Sequence, residues 1–415
     1  MKRFCLSTML ALLLLMSLSI TAFAAQEREE NNTIDSATYI NVNEDVSGNI
    51  SDRNDKDWYK LTLPEDGYVT FQFSHPVISS TSSYWYMYLY QADGVTSIYG
   101  VDTSWSIAGN ADKTTAEMGL AAGTYYIKII PEALTSWSDG RYDTSTYVLR
   151  VNYTASDAWE TEINNSYSEA DTIAVNTDCY ASICGNSDKD WYKVTLPEDG
   201  YVTFQFSHPV ISSTSSYWYM YLYQADGVTS IYGVDTSWSI AGNADKTTAE
   251  MGLAAGTYYI KIIPEALTSW SDGRYDTSTY VLRVNYTASD AWETEINNSY
   301  SEADTIAVNT DCYASICGNS DKDWYCFELK GDCEISLTFS HESNGDGDSY
   351  WAIYLYAYDG VTGIDGVDTE WYVPGNENLS TDFIELSAGT YYIKIIPEAL
   401  TSWSDGFIRY WKLCS

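Results

Sequence analysis

Tyr84-Trp85-Tyr86-Met87-Tyr88-Leu89-Tyr90 is the stretch that decides the fold. Successive side chains on a β-strand point to opposite faces. One face therefore carries Trp85, Met87 and Leu89, and the other carries the four tyrosines. The phrase returns as Tyr350-Trp351-Ala352-Ile353-Tyr354-Leu355-Tyr356. The Trp/Ile/Leu face keeps its apolar character there, while the tyrosine face accepts an alanine. That contrast assigns Trp/Met/Leu to the core and the tyrosines to the outside.

The same alternation runs through Tyr68 to Phe73 and Tyr125 to Ile129, and Tyr147-Val148-Leu149-Arg150-Val151 closes the unit. Turn signals of the Glu-Asp-Gly and Ala-Gly-Thr kind separate these runs, and stretches of helical period are missing. Seven or eight short strands in each unit imply an all-β, two-sheet sandwich of jelly-roll type. The unit recurs. Asp-Lys-Asp-Trp-Tyr brings Trp58, Trp191 and Trp324 at a spacing of 133 residues, and Thr62 to Tyr192 repeats letter for letter as Thr195 to Tyr325. A solenoid unit spans about 20–50 residues, so this period is that of a whole domain. The expected division is a signal peptide at 1–25 and three tandem β-sandwich domains at 26–155, 156–288 and 289–415. Ser156 to Ser166, polar and acidic, reads as a linker. The last unit ends differently, and Phe407 to Leu413 either supplies a shortened closing strand or leaves that unit imperfectly closed.

Lys2 and Arg3, the apolar run Leu10 to Ile20 and Ala22-Phe23-Ala24 have the form of a secretory leader. No later apolar stretch approaches the ~20 residues that span a bilayer. The expectation is secretion to the extracellular space without membrane insertion. A net charge of −37 argues against nucleic acid, whose phosphates demand Lys and Arg. It suits a solvated exterior, cation binding or a basic partner. Cysteines are absent from the mature first unit but present as Cys179 and Cys184 in the second and as Cys312, Cys317, Cys326, Cys333 and Cys414 in the third. Disulfides are therefore optional to the fold. Cys326 and Cys333 flank a turn and form the better bridge candidate, leaving Cys414 as the odd thiol. The spacings are not those of a zinc site, and no histidine lies close to them.

Four phrases in each unit resemble the bacterial pre-peptidase C-terminal domain family: Glu29 to Asn32, Gly48 to Tyr59, Glu65 to Thr70 and Gly123 to Ile127, with counterparts one and two periods on. The resemblance implies a β-sandwich of the kind appended to secreted peptidases, similar to the collagen-binding domains of clostridial collagenases. No peptidase domain accompanies it here. In those collagen-binding domains the matching acidic lead-in and later aspartates hold calcium, which implies a calcium set at Glu27, Glu29, Asn31, Asn32, Asp55 and Asp57. Its counterparts are Glu160, Glu162, Asn164, Asn165, Asp188 and Asp190, then Glu293, Glu295, Asn297, Asn298, Asp321 and Asp323. The second asparagine stands where the family has aspartate.

The residues themselves allow the same reading, since calcium takes about six to eight oxygens from carboxylates, amides and carbonyls. They equally allow a capped turn with solvated acids. His75, His208 and His341 are one position repeated, in a turn, and no triad partners are singled out for them. The tyrosine face, Tyr84, Tyr86 and Tyr88, then Tyr217, Tyr219 and Tyr221, then Tyr350, Tyr354 and Tyr356, offers large contact area at low rotamer cost. It suits an extended polymer such as collagen or a polysaccharide, with Trp105 and Trp137 extending it, or else it only pairs across strands. Three readings follow: a non-catalytic binding protein working by avidity, a structural spacer or accessory region of a secreted peptidase system, and an unrecognised hydrolase.

Overall fold

The structure, a computed structural model, describes residues 24–98, 104–136, 138–231, 237–269, 271–318, 320–343, 345–364 and 370–401. Residues 1–23 of the expected signal peptide, Trp137, Cys414 and Phe407 to Leu413 lie outside the described residues. The described chain is all-β, with short 3-10 turns and no α-helix among the described residues.

The first repeat supplies eleven strands: β1 (Ala25–Gln26), β2 (Thr38–Tyr39), β3 (Asp45–Gly48), β4 (Asp57–Leu63), β5 (Gly67–Ser74), β6 (Ser83–Tyr90), β7 (Trp105–Ala108), β8 (Lys113–Thr114), β9 (Met118–Leu120), β10 (Gly123–Pro131) and β11 (Tyr147–Ala155). One sheet has the order β2-β4-β10-β6-β7. The other runs β1-β3-β11-β5-β8, with β9 also on β5. The alternating pattern explains the layering. Trp85, Met87 and Leu89 of β6 face Val69, Phe71 and Phe73 of β5 and Tyr147, Leu149 and Val151 of β11 in one core. Burying each such side chain contributes roughly 1.5–3 kcal/mol. His75 packs its ring 4.5 Å from that of Trp85, and both ring nitrogens meet backbone carbonyls, of Pro76, Ala108 and Ala111. It ties loops together.

The second repeat reproduces both sheets in the same order, except that the counterpart of β1 is reduced to a single bridge between Trp159 and Tyr180. The third keeps the five-stranded sheet built on Asp323–Leu329, Gly389–Pro397 and Ser349–Tyr356. Its opposite layer is reduced to two two-stranded pieces, Cys333–Ile335 with Ile384–Leu386 and Thr338–Phe339 with Leu379–Ser380. In the first two repeats this layer is organised by β11 and its counterpart Tyr280–Ala288, which pair along the whole of β5 and Gly200–Ser207. The position in register with Tyr147 and Tyr280 is Leu413, outside the described residues. The core there divides into two clusters, around Trp351 and around Phe327.

Two expectations are corrected here. Cys326 and Cys333 form no disulfide. Their strands enter different sheets, Cys326 opposite Tyr392 and Cys333 opposite Leu386, because the turn between them crosses from one layer to the other instead of closing a hairpin. Tyr350 is buried at 1% exposure, its hydroxyl donating to Asp346 Oδ2 at 2.9 Å, so it offers no outward ligand face.

The segment read as a linker is instead a packed junction. Trp159 stacks on Tyr68 of the preceding repeat at 4.7 Å between centroids, and Trp292 stacks on Tyr201 at 4.8 Å. The Glu162 and Glu295 amides donate to the carbonyls of Gly119 and Gly252, both at 3.1 Å. Those glycines are required there. A Cβ on Gly119 would lie 1.8 Å from the Glu160 carbonyl oxygen, and one on Gly252 would lie 1.9 Å from that of Glu293.

Candidate metal centre

The acidic lead-in folds back over the start of β4 in the first repeat, and over its counterparts in the others. Glu27 donates its amide to the Ser47 carbonyl, and Trp58 donates its amide to the Asn31 carbonyl. These bonds lay the segment across both sheets at one end of the sandwich. Asp57 and Tyr59 share the inward face of β4 because they are two residues apart. Tyr59 donates to Glu27 Oε2 at 2.5 Å, Asn31 Nδ2 donates to the same oxygen at 3.2 Å, and the Asn49 amide donates to Glu27 Oε1 at 2.6 Å. Tyr147 donates to Asp57 Oδ2 at 2.5 Å.

Ligand atoms of Glu27, Glu29 and Asp57 come within 4.8 Å of one another, as do those of Glu160, Glu162 and Asp190 and those of Glu293, Glu295 and Asp323. Asn31, Asn164 and Asn297 join them, with side-chain oxygens buried and lacking any partner. The remaining predicted residues divide. Asn32, Asn165 and Asn298 use their side-chain oxygen to accept the amide of Lys56, Lys189 and Lys322, which is the capped turn that the sequence also allowed. Asp55 accepts the Ser51 and Lys56 amides. Asp188 and Asp321 hold the corresponding loops and also lie within 4.8 Å of Glu162 and Cys184, and of Glu295 and Cys317, respectively.

The electrostatics are those of an anion cluster without a protein counter-charge. Among the described residues no lysine or arginine pairs with these carboxylates. Burial, with the Glu27 charge beside it, pushes Asp57 up to about 9. Burial pushes Glu160 and Glu293 up to about 8 and Asp188 and Asp321 to about 6. Asp57 Oδ1, Asp190 Oδ1, both oxygens of Asp323 and both of Glu162 and Glu295 are buried and unpartnered. An unpaired buried oxygen costs about 1–3 kcal/mol, against roughly 0.5–1.5 kcal/mol that a satisfied one contributes. Convergent orphan oxygens of this kind fit a hard divalent cation. The first centre differs in being open. Glu29 is exposed and, with Glu30, Asn32, Ser51, Asp52 and Asp55, lines a surface cleft.

The sequence reading missed the tyrosine hydroxyls of Tyr59, Tyr147, Tyr192, Tyr280 and Tyr325, although the Asp-x-Tyr spacing within Asp-Trp-Tyr signalled the first of each pair. It also missed Asp171 and Asp304, which accept from Thr161 and Thr294 and from Asn164 and Asn297.

The tyrosine face is half-buried rather than bare. Strand register sets Lys128 opposite both Trp58 and Tyr88, and its ammonium lies 4.5 Å from the Tyr88 ring centre and 4.9 Å from that of Tyr90. Lys261 does the same with Tyr221 and Tyr223, and Lys394 with Tyr354 and Tyr356. Tyr84 and Tyr217 pack at the strand ends against Gly109 and Gly242. Tyr86 and Tyr219 are half-buried on the same face. Trp105 sits on the core side, 5.4 Å from Phe71, and does not extend the stripe.

No protein-family model matches the chain, and no curated protein matches it. Among solved structures it is similar to the pre-peptidase C-terminal domain of a collagenase from Bacillus anthracis, at 18% identity over 28% of this chain and 94% of that one, with a TM-score of 0.21. It is also similar to the CBM22-1-CBM22-2 tandem domain of Paenibacillus barcinonensis Xyn10C, at 10% identity over 55% of this chain and 82% of that one, with a TM-score of 0.19.

Proposed function

We propose that the chain is a secreted, non-catalytic binding protein whose three units, 26–155, 156–288 and 289–415, each hold calcium and together grip an extended extracellular polymer. The observation that carries it is the donor set of buried, partnerless oxygens that recurs in all three repeats. Glu27, Glu29, Asn31 and Asp57, with their counterparts, would hold the ion. Calcium there would supply the missing positive charge and lock the acidic lead-in onto the sandwich. The polymer, collagen-like or polysaccharide, would lie along the tyrosine–lysine face, which three copies present in one chain. Weak sites linked in this way gain roughly 10²–10⁴ in apparent affinity.

The packed junctions favour a second reading, in which the chain is a stiff calcium-dependent spacer or an accessory region of a secreted peptidase system. The two part under one experiment. The full secreted chain is applied to panels of collagens, other matrix proteins and glycans, with calcium and with chelator. Calcium-dependent retention on one polymer class supports the binder. Calcium binding in titration without retention on any panel leaves the spacer.

A further inference from the structure

The two inner centres are not copies of the first. Ser51 of the first repeat is in register with Cys184 and Cys317. Cys184 is 5% exposed and Cys317 8%, neither in a disulfide. The Cys184 sulfur comes within 4.8 Å of ligand oxygens of Glu162 and Asp188, and the Cys317 sulfur within 4.8 Å of those of Glu295 and Asp321. The loop is pinned, since the Cys184 amide donates to Asp188 Oδ2 at 2.6 Å. A second observation points to a ligand. Glu162 and Glu295 are 4% and 6% exposed, and all four of their carboxylate oxygens are buried without a partner.

The surroundings differ as well. Cys184 packs in the core of the preceding repeat, while Cys179 packs in its own. The Ser182 hydroxyl, 3.7 Å from Cys184, donates to the Glu117 carbonyl across the junction. A ligand set of one sulfur and two carboxylates, closed by the neighbouring repeat, is poor for calcium. Thiolate selects borderline-soft ions.

We propose that Glu162–Cys184–Asp188 and Glu295–Cys317–Asp321 bind a thiophilic divalent ion of the zinc class beside the calcium set. Glu162 and Glu295, which have both oxygens open and belong to both clusters, bridge the two ions, and the thiophilic ion holds the second and third repeats each against the one before. The proposal rests on the reading of these centres as cation sites. On binding, the S–H bond breaks, a sulfur–metal bond forms and the proton leaves to solvent, with no change of oxidation state. The zinc-site spacings absent from the sequence are replaced here by one carboxylate that the fold brings in from far upstream of the cysteine, Glu162 or Glu295, and one from the next turn of chain, Asp188 or Asp321.

The test uses the full secreted chain, stripped with chelator and titrated separately with calcium, zinc and cadmium, the last reporting thiolate ligation by its ultraviolet charge-transfer band. The expected result is a cadmium–thiolate band, and a Cys184→Ser/Cys317→Ser variant that loses it. That variant should bind zinc more than about tenfold more weakly and calcium as before, and Ser51→Cys should add to the band. A band of equal strength in the double variant, or no band in the wild type, overturns the proposal. Should the double variant not fold, zinc protection of Cys184 and Cys317 from alkylation in the wild type decides, and unprotected thiols overturn it. Calcium binding at the first repeat without any cadmium band defeats this inference alone. A cadmium band without calcium binding defeats only the calcium reading.

Discussion

Asp190 has one satisfied oxygen and one open one. Its Oδ2 accepts from the Tyr280 hydroxyl, its Oδ1 has no partner, and burial raises its pKa well above the carboxylate range. Asp190→Asn removes a buried acid that burial keeps protonated and that a bound cation would ionise, while keeping an acceptor for Tyr280. In chelator the variant should melt no lower than wild type. In millimolar calcium it should lose the increment that a site of about 10⁻⁴–10⁻³ M gives, roughly 0.4–1.4 kcal/mol, and calorimetry under the two conditions checks this. The pH response follows from groups of opposite sign. Asp57 is pushed up to about 9 and Glu160 and Glu293 to about 8, so the folded chain keeps protons that the unfolded chain releases near about pH 4. That stability is fully present below about pH 4 and is lost as pH rises through 8–9. Glu132 and Glu265 behave in reverse. Against the cost of burial, the amides of Asp139 and Arg141, and of Asp272 and Arg274, together with an arginine, hold them below the usual value. Their contribution is present above about pH 4.3 and lost below it. Melting curves from pH 3 to 9 in chelator should fall on both flanks, and calcium should remove the alkaline loss only.

Strand Ser216–Tyr223 separates what alternation reveals from what it hides. Trp218, Met220 and Leu222 are buried, as period-2 reading requires. Trp218→Ala should cost about 3–5 kcal/mol through the cavity it leaves. The other face is not neutral, because Lys261 lies 4.3 Å from the Tyr221 ring centre and is itself lowered to about 8 by burial and by Lys189. Tyr221→Ala and Lys261→Met should each cost about 1 kcal/mol, with coupling visible in a double-mutant cycle of denaturant unfolding. The alternation was legible in Tyr-Trp-Tyr-Met-Tyr-Leu-Tyr because each strand has one dry face. The lysine between the rings was not, because cross-strand register depends on which strands become neighbours, and β10 lies far along the chain from β4 and β6. Cys326 and Cys333 misled for a related reason, since a short turn joins adjacent strands in sequence whether or not they share a sheet. Tyr350 was misplaced because it joins the core cluster around Trp351, with its hydroxyl satisfied by Asp346 of the preceding loop, and strand periodicity is silent about loops. The acidic set was legible as residue types. Which members keep free oxygens was not, for Asn32 and Asp55 are consumed by backbone amides that only the folded turn presents.

The junctions make neighbouring repeats energetically dependent, with Trp159, Trp292, Gly119 and Gly252 forming like contacts at each boundary. In such an array stability is a sum of unit and nearest-neighbour terms. Residues 156–288 alone should therefore fold cooperatively but melt below the same unit in the full chain. Gly252→Ala, which drives a Cβ into the Glu293 carbonyl, should split one calorimetric transition into two without unfolding either neighbour. Because each boundary is built from like residues in like positions, the boundary does not record which unit it follows. Excising the 133 residues between any matched pair of positions from Thr62 to Tyr192 and from Thr195 to Tyr325 leaves a shorter chain whose every seam is one already present. The shortened protein should melt with its outer units unchanged, and units inserted the same way should extend it just as readily, so that the length of the array is set by copy number alone.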